Sequence, residues 1–391
     1  MIKTALSMIA LVVFALTVPS GLAQPQSVSS PLWGQLVAGP YAPGYTTRFV
    51  IDRSRTWASP SEGRPGDRGR PIRISMWYPA VASTATMRIA DYVHPGAPAK
   101  FGAAEGALEH RDSTVVAEWA PPDQLPGLMA TPMRASRDAA PASGRFPLVL
   151  YAAGVNPYTL SNVVLAEFLA THGMIVATVP SLGPSQDQPE QQYNNLELDD
   201  ALRDLEFAWS VVRDDSRADP RKLAVVGHSL GGTIALLIAM HNLNVVAVVG
   251  LDGTYGFAGP EADAFTAQYN PSRADVHAAI LDVRRMDATV DLRAVRAFRH
   301  ADRYFVRMPD MFHGSFTSFQ MGAQVFHLAS PRNARPGWTQ AIGATGYQQV
   351  CVGVREFLHA AFGESVQPFQ QWQAAITTAG ASVTSDPAAS R

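Results

Sequence analysis

A serine lies at the centre of the stretch KLAVVGHSLGGTIALLIAM, residues 222–240. The motif GHSLG fits the pattern G-x-S-x-G, in which a sharp strand-to-helix turn holds a serine hydroxyl above the edge of a sheet. Glycines at positions 227 and 231 remove the steric clash between the two arms of such a turn. The backbone N–H of Leu230 would then be one donor to an oxyanion. We therefore predict that Ser229 is the nucleophile of an acyl-transfer reaction.

The flanking residues make this interpretation specific, because the bare pattern also occurs by chance. The strand-like run LAVV precedes the motif, and the helix-like run TIALLIAM follows it. The alternative is a glycine-rich turn that binds phosphate. The sequence disfavours that alternative, since it lacks both the lysine of a P-loop and the spacing of a dinucleotide-binding fingerprint.

A serine hydroxyl is a weak nucleophile, so a base must lie within hydrogen-bonding reach. In enzymes that use this turn the chain order is serine, acid, histidine, and the histidine follows the last strand. His313, in YFVRMPDMFHGSF, follows a strand-like run by a few residues and stands next to a glycine, so we predict that it is the base. The other histidines after Ser229 are His241, His277, His300, His327 and His359.

Three aspartates could complete a catalytic triad. Asp252 ends the strand-like run VVAVVGLD, Asp287 follows the next run, AAILDVRRM, and Asp282 lies inside that second run. Each could place a carboxylate at the carboxyl edge of the sheet, where it would orient the imidazole and stabilise the imidazolium. Spacing alone leaves the choice open.

From residue 146 onwards, short apolar runs alternate with helical patterns. Runs such as FPLVLYA, MIVATV and VVAVVG contain continuous Val, Ile and Leu without polar alternation, which is typical of strands buried on both faces. This alternation predicts an α/β fold: a mostly parallel, doubly wound sheet with helices on both faces. Two β-rich runs upstream, TTRFVIDRSRTW and PIRISMWYPA, predict an antiparallel pair.

The remaining segments suggest one domain, residues 24–363, with insertions. These insertions are residues 87–145, which show weak periodicity, and two cap-like segments, 253–277 and 318–345. Loops at the carboxyl ends of parallel strands surround the ligand crevice, so the cap-like segments are expected either to cover the site or to elaborate the surface. The tail, residues 364–391, is rich in Ala, Ser and Thr near its end and is expected to be partly disordered.

Residues 1–23 combine a lysine, an apolar stretch of fourteen residues and a small-residue Gly-Leu-Ala site, which is the layout of a signal peptide. We therefore expect export to the periplasm or the medium, with no stable membrane insertion. Lys and Arg total 31 against 33 Asp and Glu, so no net charge favours nucleic acid. Cys351 is the only cysteine, so no internal disulfide can form, and no zinc-ligand spacing predicts a metal.

Together, GHSLGG, LVLYAAGVNPYTLSNVVLAEFLATHGMIVATVP, VVGLDGTYG and MFHGSF resemble the α/β-hydrolase superfamily, and within it the branch of platelet-activating-factor acetylhydrolases and dienelactone hydrolases. In the acetylhydrolases the acid follows the strand after the nucleophile, so the resemblance favours Asp252, with Asp287 second. It also implies a second oxyanion donor after the strand PLVLY. Where relatives carry His-Gly this chain has AAGVN, so the implied donor is the N–H of Val155.

These inferences predict an exported serine esterase that uses Ser229, His313 and Asp252 on a small-molecule ester without a cofactor. A peptidase, amidase or acyltransferase could use the same three residues, because the triad geometry is shared across acyl-transfer chemistries. A catalytically silent protein that binds a ligand is a third hypothesis. It would require neither the serine nor the histidine.

Overall fold

The computed structural model describes residues 29–58, 69–83, 85–191, 195–259, 263, 267–271 and 274–389. The predicted signal peptide lies outside these residues. In the described part the strands are β1 (Ala42–Thr56), β2 (Gly69–Ala80), β3 (Ser136–Arg137), β4 (Phe146–Ala152), β5 (Ile175–Thr178), β6 (Ala218–His228), β7 (Val245–Leu251), β8 (Ala279–Arg285), β9 (Arg303–Met308) and β10 (Ser382–Asp386).

The described helices are α1 (Ile89–Val93), α2 (Gly102–Val116), α3 (Leu125–Met129), α4 (Val163–Thr171), α5 (Asn195–Val212), α6 (Leu230–His241), α7 (Arg293–Arg296), α8 (Phe319–Val325), α9 (Gln340–Ala361) and α10 (Gln367–Thr378). Among the short 3₁₀ helices between them, Ala117–Trp119, Thr254–Gly256 and His313–Phe316 lie near the candidate site. None of the described helices is both long and apolar enough to cross a bilayer.

The strands form one sheet in the order β10-β9-β8-β7-β6-β4-β5-β2-β1-β3. From β5 to β9 every neighbouring pair in this order is parallel, while β1 and β2 pair antiparallel with each other and β2 pairs antiparallel with β5. The predicted antiparallel pair therefore extends a parallel sheet. Because parallel strands all end at the same edge, the loops after β4, β6, β7 and β9 meet there.

Two hydrophobic cores lie on the two faces of the sheet. On β6, Ala224 and Val226 belong to the core that includes side chains of α4 and α9, whereas Leu223 and Val225 belong to the core that includes side chains of α5 and α6. Both faces of the strand are covered, and this explains its uninterrupted apolar run. Full burial of one such side chain contributes about 1.5–3 kcal/mol to folding. The predicted doubly wound sheet with helices on both faces is confirmed.

The described part of the tail, residues 364–389, is more ordered than its composition suggests. Residues 367–378 form α10, whose Phe369, Trp372 and Ile376 are buried in the core beside α9. Residues 382–386 form β10, which pairs antiparallel with the edge strand β9. Composition misled the prediction because the ladder of β10 consists of backbone hydrogen bonds, which a Ser- and Thr-rich segment makes as readily as an apolar one.

Two other segments contain secondary structure that the sequence patterns did not predict. Residues 87–145, where no element was predicted, contain α1, α2, α3 and β3. The cap-like segment 318–345 contains α8 and the first residues of α9. A salt-bridged core explains the first difference: Arg73 of β2 donates to Glu105 and Asp112 of α2, so charge pairing contributes where apolar periodicity is weak.

Candidate active site

Ser229 occupies the tight turn between β6 and α6. Its backbone adopts φ 56° and ψ −124°, a conformation that a residue with a side chain rarely takes. Two glycines make the turn possible: a Cβ on Gly227 would lie 2.0 Å from the carbonyl oxygen of Gly231, and a Cβ on Gly231 would lie 2.0 Å from that of Ala152. The predicted clash between the two arms of the turn is therefore present at Gly227, whereas Gly231 makes room for the end of β4 instead.

His313 and Asp252 meet at the same edge of the sheet, although 61 residues separate them in the chain. Asp252 follows β7, and His313 opens the short helix after β9. The ring nitrogen Nδ1 of His313 lies 2.7 Å from Oδ2 of Asp252, in position to donate a hydrogen bond to the carboxylate. This contact leaves Nε2 as the ring nitrogen that can accept a proton from a nucleophile.

The Asp252 carboxylate is fully buried. Burial alone would raise its pKa, but the hydrogen bond and charge of His313, with the charges of Arg284 and Arg285, outweigh that effect and lower the pKa below its usual value. Nε of Arg285 lies 3.5 Å from Oδ2. The carboxylate is thus held as an anion beside the imidazole.

The other two candidate aspartates lie elsewhere. Asp282 is buried inside β8, where it accepts hydrogen bonds from Tyr255 and from Nε of Arg284. The side chain of Asp287 is 68% exposed, and its Oδ1 lies 3.9 Å from Nε of Arg285. Neither contacts His313, so the structure pairs the histidine with the aspartate that the resemblance favoured.

Arg284 supports the loop that carries Asp252, a role that the sequence analysis missed. Its guanidinium is fully buried, pairs with Asp282 at 2.7 Å and donates from Nη1 to the carbonyl oxygen of Gly253 at 2.7 Å. The ring of Tyr255 packs under the same guanidinium, 4.8 Å away. The available signal was an arginine two residues after an aspartate in a strand that begins with an apolar run, since a charged residue is buried only when it is paired.

His228, next to the candidate nucleophile, is a second residue that sequence reasoning missed. Its Nε2 lies 3.0 Å from the backbone carbonyl oxygen of His313, and the two rings lie 4.7 Å apart. Burial, with the nearby charge of His313, lowers the pKa of His228 to about 4. His228 is therefore a neutral donor that holds the backbone of His313.

Ser229 and His313 line one pocket of about 390 Å³. No hydrogen bond joins the Ser229 hydroxyl to the His313 ring in the described part of the chain, and such bonds are often long before a substrate binds. The insertion 87–145 and the cap-like segment 318–345 both reach this pocket, the latter through Phe319. The insertion contributes Val115, Glu118 and Trp119 to the wall, and the loop after β4 contributes Gly154, Val155, Pro157, Tyr158 and Ser161. Thr317, next to the cap-like segment, and Phe319 within it complete this part of the wall.

The loop after β4 approaches the nucleophile closely. A Cβ on Gly154 would lie 3.2 Å from Cβ of Ser229 and 3.6 Å from its hydroxyl oxygen. Leu230 and Val155 flank this contact, and within the described residues neither N–H donates to a protein acceptor. Both N–H groups are free to donate to an oxyanion, and their role as an oxyanion hole remains a proposal.

A buried ionic network fixes this loop to the insertion. Asp112 of α2 accepts hydrogen bonds from the backbone N–H of Thr159 at 2.9 Å and from Arg73 at 2.5 Å. Arg111, the preceding residue, donates to the carbonyl oxygens of Pro157 and Ser181 at 3.1 and 2.7 Å. The insertion therefore shapes the site, which its sequence alone did not indicate.

The remaining histidines lie away from the pocket. His241, His277 and His359 pair with Glu206, Asp275 and Glu364 at exposed positions, and His300 stacks on His277. His327 follows α8. Among the described residues no group of three or more His, Cys, Asp or Glu side chains could hold a metal ion.

Comparisons with known proteins agree with this architecture. The family model described as Chlorophyllase matches residues 119–273. Cutinase 2 of Thermobifida cellulosilytica is 37% identical over 89 residues, which is 22% of this chain and 32% of the cutinase, so the chain spans about a third of that relative. The bis(hydroxyethyl) terephthalate hydrolase of Streptomyces coelicolor is 28% identical over 203 residues, 50% of this chain and 63% of that protein.

Among solved structures, a ferulic acid esterase from Streptomyces cinnamoneus superposes with a TM-score of 0.57 at 19% identity. The match covers 83% of this chain and 92% of that protein. At this level of identity the likeness demonstrates a shared fold.

Proposed function

We propose that this chain, which belongs to the α/β-hydrolase superfamily, is a carboxylic-ester hydrolase whose catalytic residues are Ser229, His313 and Asp252. The observation that carries the proposal is the hydrogen-bonded pair of His313 and Asp252 at the pocket that Ser229 also lines. A buried carboxylate beside a histidine has a clear use in acyl transfer, because it stabilises the imidazolium that forms when the nucleophile loses its proton.

The proposed reaction has two halves. Nε2 of His313 accepts the hydroxyl proton of Ser229 while the serine oxygen bonds to the ester carbonyl carbon. The N–H groups of Leu230 and Val155 donate to the resulting oxyanion. The tetrahedral intermediate then collapses, the C–O bond to the alcohol breaks, and the alkoxide leaves with the proton from His313. Water repeats the sequence on the acyl-enzyme and releases the carboxylic acid.

The names of the relatives support an ester as the substrate. A cutinase, a bis(hydroxyethyl) terephthalate hydrolase and a ferulic acid esterase are all named for ester cleavage. The finer branch named in the sequence analysis, that of acetylhydrolases and dienelactone hydrolases, remains a prediction. Export also remains a proposal, supported by the signal-like composition of residues 1–23.

One panel of assays tests the function. The purified mature chain and its Ser229→Ala variant are compared on p-nitrophenyl acetate, butyrate and a long-chain ester, with an amide substrate and a fluorophosphonate label alongside. We expect turnover and labelling of the wild type and loss of both in Ser229→Ala. Labelling with amide cleavage alone would favour a peptidase or amidase. Absence of both in the wild type would refute the proposal and favour a protein that binds a ligand.

A further inference from the structure

A permanent positive charge lies next to the pair of His313 and Asp252. Arg285 is the last residue of β8, and its Nε lies 3.5 Å from Oδ2 of Asp252, the same oxygen that lies 2.7 Å from the His313 ring. This Nε is shielded from solvent and donates no hydrogen bond to any described residue. The guanidinium therefore acts on the pair through its charge, without taking the place of the histidine at the carboxylate.

The Phe257 ring holds the guanidinium beside the imidazole. Cζ of Arg285 lies 5.7 Å from the centroid of this ring, and the centroid of the His313 ring lies 5.8 Å from it on an edge-to-face contact. The side chain of Arg285 is 30% exposed. Because the ring and the carboxylate cover most of it, its charge is less screened than that of a surface arginine.

Other charged groups surround the pair, but Arg285 is the one arginine or lysine that is ion-paired with Asp252 among the described residues. Arg284 is buried and is compensated by Asp282 at 2.7 Å. Asp287 lies 3.9 Å from Nε of Arg285 but is exposed, so water weakens its effect. Burial lowers the pKa of His228 to about 4, so that ring is uncharged at higher pH.

The remaining charged groups near His313 lie on the pocket wall, on the loop before the histidine and on β9. They are Glu118, which is exposed, Asp310 paired with Arg335, and Arg307, which donates to the carbonyl oxygens of Met286 and Ala288.

We infer that Arg285 sets the acid limit of the reaction, because its charge opposes protonation of His313. The Asp252 carboxylate attracts a proton to the imidazole, and a cation beside the carboxylate cancels part of that attraction. The histidine then remains a base in more acidic surroundings. Arg285 touches neither the substrate nor the reacting atoms, so it is a positioning residue that acts through the pair. The inference rests on the proposed ester hydrolysis, since that reaction requires an unprotonated imidazole.

Removal of this charge should move the acid limb of the kcat/KM profile to higher pH, because the imidazolium is no longer repelled. A charge within about 4–6 Å moves a titration by about 1–3 pH units, and the exposure of Arg285 and His313 reduces this to about 0.5–1 unit. On the acid limb, kcat/KM should fall about three- to tenfold. At alkaline pH it should stay within about twofold of the wild type.

The test compares variants that remove the charge with one that keeps it. Arg285→Gln and Arg285→Met both remove it, so that misfolding of one leaves the other, and Arg285→Lys retains it. Arg221→Gln is the control for net charge, because Arg221 is exposed and pairs with Asp219 near the start of β6. The assay is kcat/KM for p-nitrophenyl butyrate from about pH 4.5 to 9 at constant ionic strength, since this constant reports the groups of the free enzyme.

We expect the acid limb to move to higher pH in both uncharged variants and to stay in place in Arg285→Lys and Arg221→Gln. An unmoved limb or a shift to lower pH in the uncharged variants overturns the inference. So does an equal loss of kcat/KM at every pH, which a merely structural role would produce, and so does a full shift in Arg285→Lys.

A titration without turnover separates this inference from the proposed function. The His313 ring is followed by NMR with ¹³C-labelled histidine in Ser229→Ala, with and without Arg285→Gln, and its signal is assigned by its loss in His313→Gln. If Arg285→Gln raises the titration midpoint while the wild type hydrolyses no ester, the proposed function is wrong and the role of Arg285 stands. If esters are hydrolysed but the midpoint does not move, the role of Arg285 is wrong and the proposed function stands.

Discussion

Replacement of Asp252 by asparagine should reduce turnover by three to four powers of ten. The carboxylate is fully buried and its Oδ2 lies 2.7 Å from Nδ1 of His313. During the reaction the imidazole becomes an imidazolium, and the neutral amide of asparagine no longer attracts that charge. The amide can also present its N–H₂ group to Nδ1, which favours the unproductive tautomer of the histidine.

The magnitude follows from the geometry. With an effective dielectric constant of about 20, two unit charges separated by roughly 2.7–4 Å attract each other with about 4–6 kcal/mol. Each 1.36 kcal/mol of transition-state stabilisation is worth about tenfold in rate, so the expected loss is about 10³ to 10⁴ in kcat. The side chain of His313 is 39% exposed, and this solvent contact moves the estimate towards the lower figure.

The assay is steady-state hydrolysis of p-nitrophenyl butyrate, with the melting temperature measured on the same samples. Asp287→Asn is the matched control and should retain wild-type kcat, because its side chain is 68% exposed and lies 3.9 Å from Arg285. Asp282→Asn removes the buried partner of Arg284 and should cost about 3–5 kcal/mol of stability, seen as a lower melting temperature. If Asp287→Asn lost the activity and Asp252→Asn kept it, the assignment of the acid would be wrong.

Three further predictions concern the scaffold. Gly231→Ala should destabilise the protein by about 3 kcal/mol or more, because the new Cβ would lie 2.0 Å from a backbone oxygen. Gly106→Ala in α2 is the control and should not destabilise the protein, because its Cβ would meet nothing within 4 Å. Thermal unfolding compares the two variants. Since burial lowers the pKa of His172 to about 4, the unfolded chain binds a proton between pH 6.5 and 4 that the folded chain does not. As the pH is lowered from 6.5 to 4, the free energy of unfolding should therefore fall by about 3 kcal/mol. Urea titrations at several pH values should show a smaller fall for His172→Gln than for the wild type. Truncation after residue 363 should cost about 5 kcal/mol through three buried apolar side chains of α10, and an unchanged melting temperature would contradict the packing of this tail.

Sequence patterns predicted the strands and helices whose apolar residues follow a regular spacing within the element itself. Apolar runs identified the strands from β4 to β9 and the helix α6, because a buried strand or helix carries its apolar pattern in its own sequence. The turn at Ser229 was predicted for the same reason. Gly227 is required by its contact with the carbonyl oxygen of Gly231 in the same turn, whereas Gly231 is required by the carbonyl oxygen of Ala152 on the neighbouring strand β4.

The segments that the sequence did not predict depend on contacts with distant parts of the chain. The tail after residue 363 has no strong pattern of its own, and its order depends on α9 and on the free edge of β9. The insertion 87–145 is held by Arg73, which lies outside it on β2. The roles of Arg284 and His228 depend on contacts with groups that are distant in the chain.

The sequence by itself determined the nucleophile candidate, the chain order of serine, acid and histidine, and the doubly wound sheet, because these depend on spacing and local periodicity. Only the tertiary structure decided which aspartate meets His313. The three candidates all lie on β8 or at the carboxyl ends of β7 and β8, and their spacings fit equally well. Folding of the parallel sheet brings the end of β7 beside the loop after β9, and it buries Asp282 on Arg284 and leaves Asp287 exposed. Contacts between chain segments that are 61 residues apart are a property of the fold, and no local pattern carries them.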